Sequence, residues 1–402
     1  MKFCVIASSP TLELSGANVL LANLLDALSK MDMRTDWLVT GHEHRNDSEW
    51  LGERRFPIRR LPPTRISDVR RRQTLLLEYL KAASPCIYLP NFDFDMACAI
   101  PATPDQCRGV LIMHCDDPVY YGFVERHGGL FDAIVCVSSF LATRLREKHP
   151  ELSERIVHIP FGIAIPEELP SIKMRGSSSR GSLRVAYCGR LSFHQKRVQD
   201  LATIISKCHD ENLPVEFHIA GSGPDEQEFF ESIRIPLEGG RVHQHGFLKN
   251  SEVIDLLEQS DVLVMTSNFE GLPVVLLEAM SRGCIPVVTD IQSGIGEVVR
   301  HQETGYLHPI GDMDAFVATL ADLARDTHLR QQMSDAAFKG LKSGGFTLER
   351  AVADYLKLFE SIFSSKHQFP NRPSGPPLIP DQYRFFHRMK QRISSMFPWY
   401  SQ

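Results

Sequence analysis

The stretch Ser267-Asn-Phe-Glu-Gly-Leu-Pro-Val-Val-Leu-Leu-Glu278 decides the fold of its half of the chain. The apolar run 261–266 before it predicts a buried strand, and Gly271-Leu272-Pro273 then breaks the chain ahead of an apolar helical run. A strand, a tight turn and a helix start place backbone N–H groups where they favour a negatively charged ligand. Glu270 and Glu278 add carboxylates that accept hydrogen bonds from hydroxyl groups. The stretch therefore predicts a site for a ligand that carries both phosphates and hydroxyls.

Short apolar strands alternate with amphipathic helical segments through most of the chain. Examples of the predicted strands are 3–7, 86–89, 109–113 and 133–137 in the first half, and 183–187, 215–220, 262–265 and 285–288 in the second. Such alternation predicts parallel sheets covered by helices. We expect an α/β protein of two Rossmann-like, doubly wound domains that face a central cleft, with ligands at the carboxyl ends of the strands.

The chain of 402 residues is too long for one ordinary core, so two domains are expected. The clearest break in composition is the polar, Gly- and Ser-rich stretch 166–182. The predicted order is an N-terminal domain, this linker, a C-terminal domain, a helix and a tail, over 1–165, 166–182, 183–345, 346–364 and 365–402.

Composition narrows the class of protein. The formal net charge of −5 argues against general nucleic-acid binding. The nine cysteines contain no Cys-x-x-Cys pair, which favours a reducing cytoplasm over a disulfide framework or a zinc site. The N-terminus has no signal-peptide pattern and no apolar run approaches a membrane span. We therefore expect a cytoplasmic protein that meets a membrane, if at all, at its inner surface.

Further glycine-bearing loops follow other strands. Gly189 lets the chain turn after one strand, and Arg190 and Lys196 supply positive charge that would offset the negative charge of a leaving diphosphate. Three more loops of this kind are Ser15–Ala17, Gly221–Pro224 and Ser293–Glu297. Together they extend the predicted phosphate site beyond the opening stretch.

Taken in order, these features resemble the retaining family 4 of the GT-B glycosyltransferases, the glycosyl transferases group 1. The resemblance covers roughly residues 3–362 and is strongest over 183–310. The matching positions are Gly16, Ile159–Ile163, Gly189–Leu191, Lys196, Gly221–Pro224, Glu270–Pro273, Glu278, Ser293–Glu297 and Gly305–Leu307.

The resemblance implies roles for these residues. It assigns catalytic roles to four residues: His114, Arg190, Lys196 and Glu270. It assigns donor binding to Gly16, Gly189, Gly221, Gly223, Gly271, Leu272, Pro273 and Glu278. Arg190 and Lys196 would bind the diphosphate in place of a metal, so no metal and no cofactor are expected. Glu278 would bind the ribose hydroxyls, and His114 would reach the donor sugar from the N-terminal domain.

The implied function is transfer of a hexose-type sugar, with retention, from a nucleotide diphosphate sugar to a glycan or lipid-linked acceptor in cell-surface polysaccharide or glycolipid synthesis. The departing phosphate would help to deprotonate the acceptor. Residues 1–165 would form the acceptor side, 183–345 would bind the nucleotide sugar, and the helix over 346–364 would cross back to the N-terminal domain. Two alternatives stay open: a nucleotide-sugar epimerase of the same fold, and a non-catalytic protein that binds sugar nucleotides.

The sequence departs from the family pattern at three places. The first loop, Ser15-Gly16-Ala17-Asn18, has one glycine and no acid, where two glycines and a glutamate are common. Arg197 stands where a glycine usually follows the lysine. Ser293-Gly294 replaces a later glycine pair.

Several of these residues also allow a structural reading. Glu270 and Glu278 could simply cap and solvate a helix. Asp116 and Asp117 either shape the acceptor side or start a turn. The triplet Asp93–Asp95 looks like a metal-binding Asp-x-Asp, but the rest of the chain points away from the fold that uses it. NAD binding is not expected, because Gly221-Ser-Gly223 lacks the third glycine of that fingerprint.

Two charged segments suggest contact with a membrane. Residues 54–72 carry eight arginines and a single acid, which is typical either of a solvated loop or of a surface for anionic acceptors or lipid headgroups. In the tail, a Pro-rich stretch precedes a predicted helix from Asp381 that has an apolar face, an arginine stripe and terminal aromatic residues. This pattern favours a membrane-surface anchor or a helix packed on protein.

Overall fold

The computed structural model describes residues 3–41, 49–52, 54–62, 69–170, 181–364 and 377–378. Its chain divides into two compact units. The first comprises Met1–Cys136, Ala142–Ile159 and the chain from Val352 onward. The second comprises Val137–Leu141 and Pro160–Ala351. Most of the predicted linker and tail lies outside the described residues.

The first unit is built on a sheet of seven strands, which all run parallel to their neighbours. The strands are β1 (Cys4–Ser9), β2 (Thr35–Val39), β3 (Ile58–Arg60), β4 (Cys86–Pro90), β5 (Cys107–Met113), β6 (Ala133–Cys136) and β7 (Ile156–His158). Their spatial order is β3-β2-β1-β4-β5-β6-β7. β1, β2, β4 and β6 are buried along their whole length, as expected for strands covered on both faces.

Helices connect these strands. They are α1 (Gly16–Lys30), α2 (Val69–Ala83), α3 (Phe94–Ala97), α4 (Pro118–His127) and α5 (Ser139–Lys148). α1 begins where Ser15 accepts a hydrogen bond from the Asn18 backbone, and it buries an apolar face that includes Leu21, Leu25 and Leu28. Capping and amphipathic spacing together explain this helix.

The second unit holds a parallel sheet of six strands. The strands are β8 (Leu183–Cys188), β9 (Val215–Ala220), β10 (Val242–Gly246), β11 (Val262–Met265), β12 (Ile285–Thr289) and β13 (Tyr306–His308). Their order is β10-β9-β8-β11-β12-β13. The connecting helices are α6 (Phe193–Lys196), α7 (Val198–Asp210), α8 (Glu226–Ser232), α9 (Arg234–Glu238), α10 (Asn250–Glu258), α11 (Val274–Ser281), α12 (Ile295–Val298), α13 (Met313–Arg325) and α14 (Thr327–Gly344).

The last described helix, α15 (Leu348–Ser364), returns the chain to the first unit. Its buried residues Val352, Tyr355, Phe359 and Ile362 recur at helical spacing. Phe3, just before β1, stacks on Phe363 with ring centroids 4.8 Å apart. This aromatic contact attaches the helix to the start of the chain.

Strand order reverses once in each sheet, between β1 and β4 and between β8 and β11. At such a switch point the loops leave in opposite directions and open a crevice at the carboxyl ends of the strands. The two sheets therefore have the predicted doubly wound, parallel α/β architecture. The loops after β8 and β11 are where the candidate site is built.

None of the described helices is long and apolar enough to cross a membrane. All nine cysteines lie in the described part of the chain, and no disulfide joins any two of them. This agrees with the interpretation that the cysteines form no disulfide framework.

Candidate functional site

Hydrogen bonds join the loop after β8 to the loop after β11. The Thr266 hydroxyl donates to the Lys196 carbonyl at 2.8 Å. The Asn268 backbone N–H donates to the Gln195 carbonyl at 2.8 Å, and its side-chain amide donates to the His194 carbonyl at 2.9 Å. Two segments that are far apart in sequence thus form one rigid wall at the switch point.

An ion pair joins two of the predicted site residues within this wall. Lys196 Nζ lies 2.6 Å from Glu270 Oε1, and the two side chains are 16% and 9% exposed. The sequence placed these residues in separate roles, whereas the structure couples them. A buried carboxylate fixes the position of the ammonium group and neutralises part of its charge. Arg190 is exposed, and no ion pair involving it occurs within the described ranges.

Two glycines of the predicted donor loop are required by packing between loops. Gly221 has φ +135°, and a Cβ there would lie 1.9 Å from the Gly189 carbonyl oxygen. A Cβ at Gly223 would lie 2.2 Å from the Leu191 carbonyl oxygen. The backbones after β8 and β9 therefore touch closely, and only glycine fits at either position. Donor binding by these glycines stays a prediction.

Arg197 adopts a conformation that normally favours glycine. Its φ and ψ are 46° and 48°, in the left-handed region. Its guanidinium group makes two hydrogen bonds to Asp200, at 2.7 and 3.0 Å. The family's usual glycine at this position is thus explained by the backbone, and in this chain the bidentate pair holds an arginine there instead.

The turn Glu270-Gly271-Leu272-Pro273 is braced before α11 begins. Pro273 is the N-cap of this helix, and Leu272 is buried. The Gly294 N–H donates to the Gly271 carbonyl at 2.6 Å, so the loop after β12 supports the turn. The helix start that the sequence predicted therefore stands beside the Lys196–Glu270 pair.

Glu278 lies in the second turn of α11 rather than at its edge. The residue is 8% exposed, and its Oε1 accepts a hydrogen bond from the Asn250 side chain at 2.8 Å. Burial raises the pKa of Glu278, while the bond from Asn250 acts in the opposite direction. Asn250 was not predicted, because nothing in the sequence shows that the start of α10 meets α11.

In the first unit, a chain of side-chain amides fixes the orientation of His114. The Asn18 side chain donates to the Glu13 carbonyl at 2.7 Å, so its amide nitrogen is identified and its oxygen faces Asn91. Asn91 donates to that oxygen at 2.8 Å, which turns its own Oδ1 toward His114 Nε2, 2.6 Å away. His114 therefore carries its proton on Nε2, and Nδ1 is an acceptor.

The surroundings of His114 keep its imidazole neutral. Burial lowers its pKa to about 3. Phe92 stacks on the ring with centroids 5.1 Å apart, and this residue has a left-handed φ of 53°. A neutral, oriented imidazole can bind a sugar hydroxyl, but it cannot supply the charge of a cation.

The other predicted residues of the first unit have structural partners. Gly16 is the first residue of α1, and the Asp117 carboxylate caps α4 by accepting from the Val119 N–H at 2.7 Å. Asp116 accepts from the Tyr121 hydroxyl at 2.6 Å and from Arg144 at 2.7 Å. Local structure thus accounts for both acids, and their acceptor-side role stays a prediction.

The two acids of the Asp-x-Asp triplet also contact other side chains of the protein. Asp93 is buried and accepts from the Thr40 hydroxyl at 2.6 Å, while Asp95 lies 3.5 Å from Arg72. Burial raises the pKa of Asp93 to about 6. These contacts explain the two acids without a metal.

Acids of the first unit neutralise part of the arginine-rich segment. Arg54 lies 4.0 Å from Asp26, and Arg59 lies 3.0 Å from Asp36. Arg70 and Arg71 are exposed at the start of α2. Arg65 and the basic helix predicted from Asp381 lie outside the described residues.

Sequence comparison relates the second half of the chain to a known family. Residues 173–340 match the family model of the glycosyl transferases group 1. The chain is 29% identical to N-acetyl-alpha-D-glucosaminyl L-malate synthase of Bacillus anthracis over 167 residues, or 42% of each chain. It is 30% identical to the lipopolysaccharide 1,6-galactosyltransferase of Escherichia coli over 155 residues, or 38% of this chain and 42% of that one. It thus spans less than half the length of these relatives.

Solved structures match over most of the chain. The pneumococcal O-GlcNAc transferase GtfA gives a TM-score of 0.74 at 12% identity, over 90% of this chain and 100% of that one. Anabaena HepE gives 0.71 at 16% identity over the same shares. At such identities the likeness shows the fold alone, and it is the predicted GT-B fold. Residues 173–340 of this chain therefore match the glycosyl transferases group 1, and the chain as a whole is similar in fold to GT-B proteins.

Proposed function

We propose that this protein is a retaining glycosyltransferase of family 4 that moves a hexose-type sugar from a nucleotide diphosphate sugar to a glycan or lipid-linked acceptor. The observation that carries the proposal is the Lys196–Glu270 pair, 2.6 Å apart, beside the start of α11. The match to the family model and relatives named as glycosyltransferases support it. Synthesis of a cell-surface polysaccharide or glycolipid is the proposed setting.

Positive charge and a helix start together suit a diphosphate. Arg190 is exposed in the segment after β8, and Lys196 is the last residue of α6, which follows in the same connection. Backbone N–H groups at the start of α11 add partial positive charge. We propose that Glu270 aims the Lys196 ammonium at the diphosphate, where it stabilises the charge that grows on the leaving group. This arrangement would replace a metal ion.

Glu278 would hold the ribose. The Asn250 side chain donates a hydrogen bond to Glu278 Oε1 at 2.8 Å, and ribose hydroxyls would donate to Oε2. Burial strengthens such hydrogen bonds, because water competes poorly for the side chain of a residue that is only 8% exposed. Uridine is the first base to test, since the GtfA, HepE and TarM structures are described as complexes with UDP.

Retention would follow from attack on the face that the phosphate leaves. The bond from the anomeric carbon to the phosphate oxygen breaks, and a bond to the acceptor oxygen forms on the same face. The acceptor's proton passes to the departing phosphate, so no protein nucleophile is needed.

Binding calorimetry tests the donor site. We expect selective binding of one among UDP, GDP and ADP and their hexose conjugates. Glu278→Gln should weaken that binding roughly tenfold or more, since it replaces hydrogen bonds to a charged group. Glu228→Gln, an exposed acid on α8, is the matched control and should bind as the wild type does. If every nucleotide fails to bind, or if Glu278→Gln binds unchanged, the proposed donor site is wrong.

Product analysis tests the reaction. Glu270→Gln should lower turnover roughly a hundredfold or more, because Lys196 loses its charged partner. Nuclear magnetic resonance of the product should show the anomeric configuration of the donor, and a chelator should leave the rate unchanged. An inverted product would exclude retention. Accumulation of an isomerised sugar nucleotide without transfer would instead identify an epimerase.

A further inference from the structure

Four ionisable side chains gather on one face of the second sheet, at its β10 edge. Glu216 and His218 alternate along β9, and His243 and His245 alternate along the edge strand. Alternate residues of a strand point to the same face, and the register pairs His243 with His218. The loops that carry the proposed donor site use none of the four.

His218 contacts both histidines of the edge strand, and Glu216 lies close by. The rings of His218 and His243 stack with centroids 4.6 Å apart. His218 Nδ1 lies 3.1 Å from His245 Nε2. One ligand atom from each of Glu216, His218 and His243 lies within 4.8 Å of the other two. Carboxylate oxygen and imidazole nitrogen are thus already close enough for small side-chain rotations to bring them to one ion.

His218 provides a second, independent observation. It is 5% exposed, and its buried Nε2 has no hydrogen-bond partner among the described residues. A buried polar atom of this kind needs a partner that protein atoms do not supply. His245 can accept from the Nδ1–H of His218, which leaves the Nε2 lone pair for a ligand. Metal-binding histidines are commonly oriented in this way by their second nitrogen.

We propose that Glu216, His218 and His243 bind a divalent first-row transition-metal ion such as Zn²⁺, with water completing its coordination. Two imidazoles and one carboxylate are an established ligand set for zinc, and three protein ligands leave one position open. His243 is exposed on the edge strand, so its ring can turn toward the ion. This site is separate from the proposed donor site and does not depend on it.

A nearby arginine side chain influences which metal ions the site can bind. Arg184 on β8 is in register with Glu216, so its guanidinium charge opposes an ion held only by electrostatic attraction. Coordination by imidazole depends less on charge and selects zinc, nickel, copper or cobalt over magnesium and calcium. The ion would link β9 to the edge strand β10 and stabilise this edge of the sheet.

The test is direct metal binding by the untagged protein of 402 residues. Zn²⁺ titration should show one site, and Co²⁺ should give absorption typical of nitrogen and oxygen ligands. His243→Gln and Glu216→Gln should each weaken binding at least roughly tenfold. His328→Gln changes an exposed histidine on α14 and should bind as the wild type does. His243 is exposed and Glu216 is half-buried, so both variants should fold, whereas replacing buried His218 should destabilise the protein.

Thermal unfolding gives a second measurement. Zn²⁺ should raise Tm in the wild type and in His328→Gln by mass action, and should raise it less in His243→Gln. Unchanged affinity in both test variants would overturn the proposal. So would a thiolate-to-cobalt absorption band, which would place the ion on a cysteine, or equal binding of Mg²⁺.

Discussion

His114 is held in one tautomer by residues that are distant from it in sequence. The Asn18 side chain donates a hydrogen bond to a backbone carbonyl, which fixes its orientation. Asn91 then donates to Asn18 at 2.8 Å and accepts from His114 at 2.6 Å, so the imidazole ring is oriented as well. A sequence shows that a histidine ends a strand, but it cannot show which nitrogen carries the proton. That property depends on three loops meeting at the end of one sheet.

Replacing Asn91 should remove the restriction of His114 to one tautomer. In the wild type, ¹⁵N resonances of His114 should show an Nε2–H tautomer and stay unchanged from pH 8 to pH 5, because burial lowers its pKa to about 3. Asn91→Ala should mix the tautomers and cost about 2 kcal/mol of unfolding free energy, since it leaves buried groups of Asn18 and His114 without this partner. An Nδ1–H tautomer in the wild type would contradict the assignment.

Arg197 is predicted to be strained by its left-handed backbone. Arg197→Gly and Arg197→Ala both remove the pair with Asp200, so their difference isolates the backbone conformation at φ 46°. The glycine variant should be more stable by about 1 kcal/mol, although glycine is usually the less stable of the two. Urea unfolding of both variants measures this difference. A more stable alanine variant would mean that the left-handed conformation is not retained.

At the scale of elements, most strands of the two sheets could be predicted from the sequence. Every example strand named from the sequence forms a strand, because buried parallel strands produce apolar runs that stand out from their surroundings. Loop contacts could not be predicted. Gly221 and Gly223 are predicted to bind the donor, and the structure adds that carbonyl oxygens of the neighbouring loop exclude any side chain there.

Substituting these glycines should separate the two loops. Gly221→Ala should cost about 3 kcal/mol of unfolding free energy, because its Cβ would meet the Gly189 carbonyl oxygen at 1.9 Å. Gly296→Ala is the control, since no atom lies within 4 Å of its added Cβ. Thermal or urea unfolding of both variants measures the effect. Similar stability of the two variants would show that the loops move apart at little cost.

At the scale of the whole molecule, the arginine-rich segment and the tail remain the predicted membrane contacts. The structure assigns acidic partners to Arg54, Arg59 and Arg72. These pairs reduce the charge that the segment can present to a membrane. The tail keeps its predicted role on the basis of its sequence alone.

Deletion of residues 380–402 should therefore release the protein from anionic vesicles. The predicted helix combines an apolar face with an arginine stripe, and such helices bind membranes through both features. Flotation with vesicles rich in phosphatidylserine measures the bound fraction, and vesicles of neutral lipid are the control. A double variant, Arg70→Gln with Arg71→Gln, should retain most of the binding. Undiminished binding after the deletion would assign the contact elsewhere.

The sequence by itself determined the α/β class, the positions of the strands and the order of motifs that resembles the glycosyl transferases group 1. Those features are local, because burial and backbone conformation leave their pattern in neighbouring residues. Only the tertiary structure decided that Lys196 pairs with Glu270, that Asn250 bonds to Glu278 and that His218 meets His243. Each of these contacts joins residues on different strands, helices or loops, and the topology of the sheet brings them together.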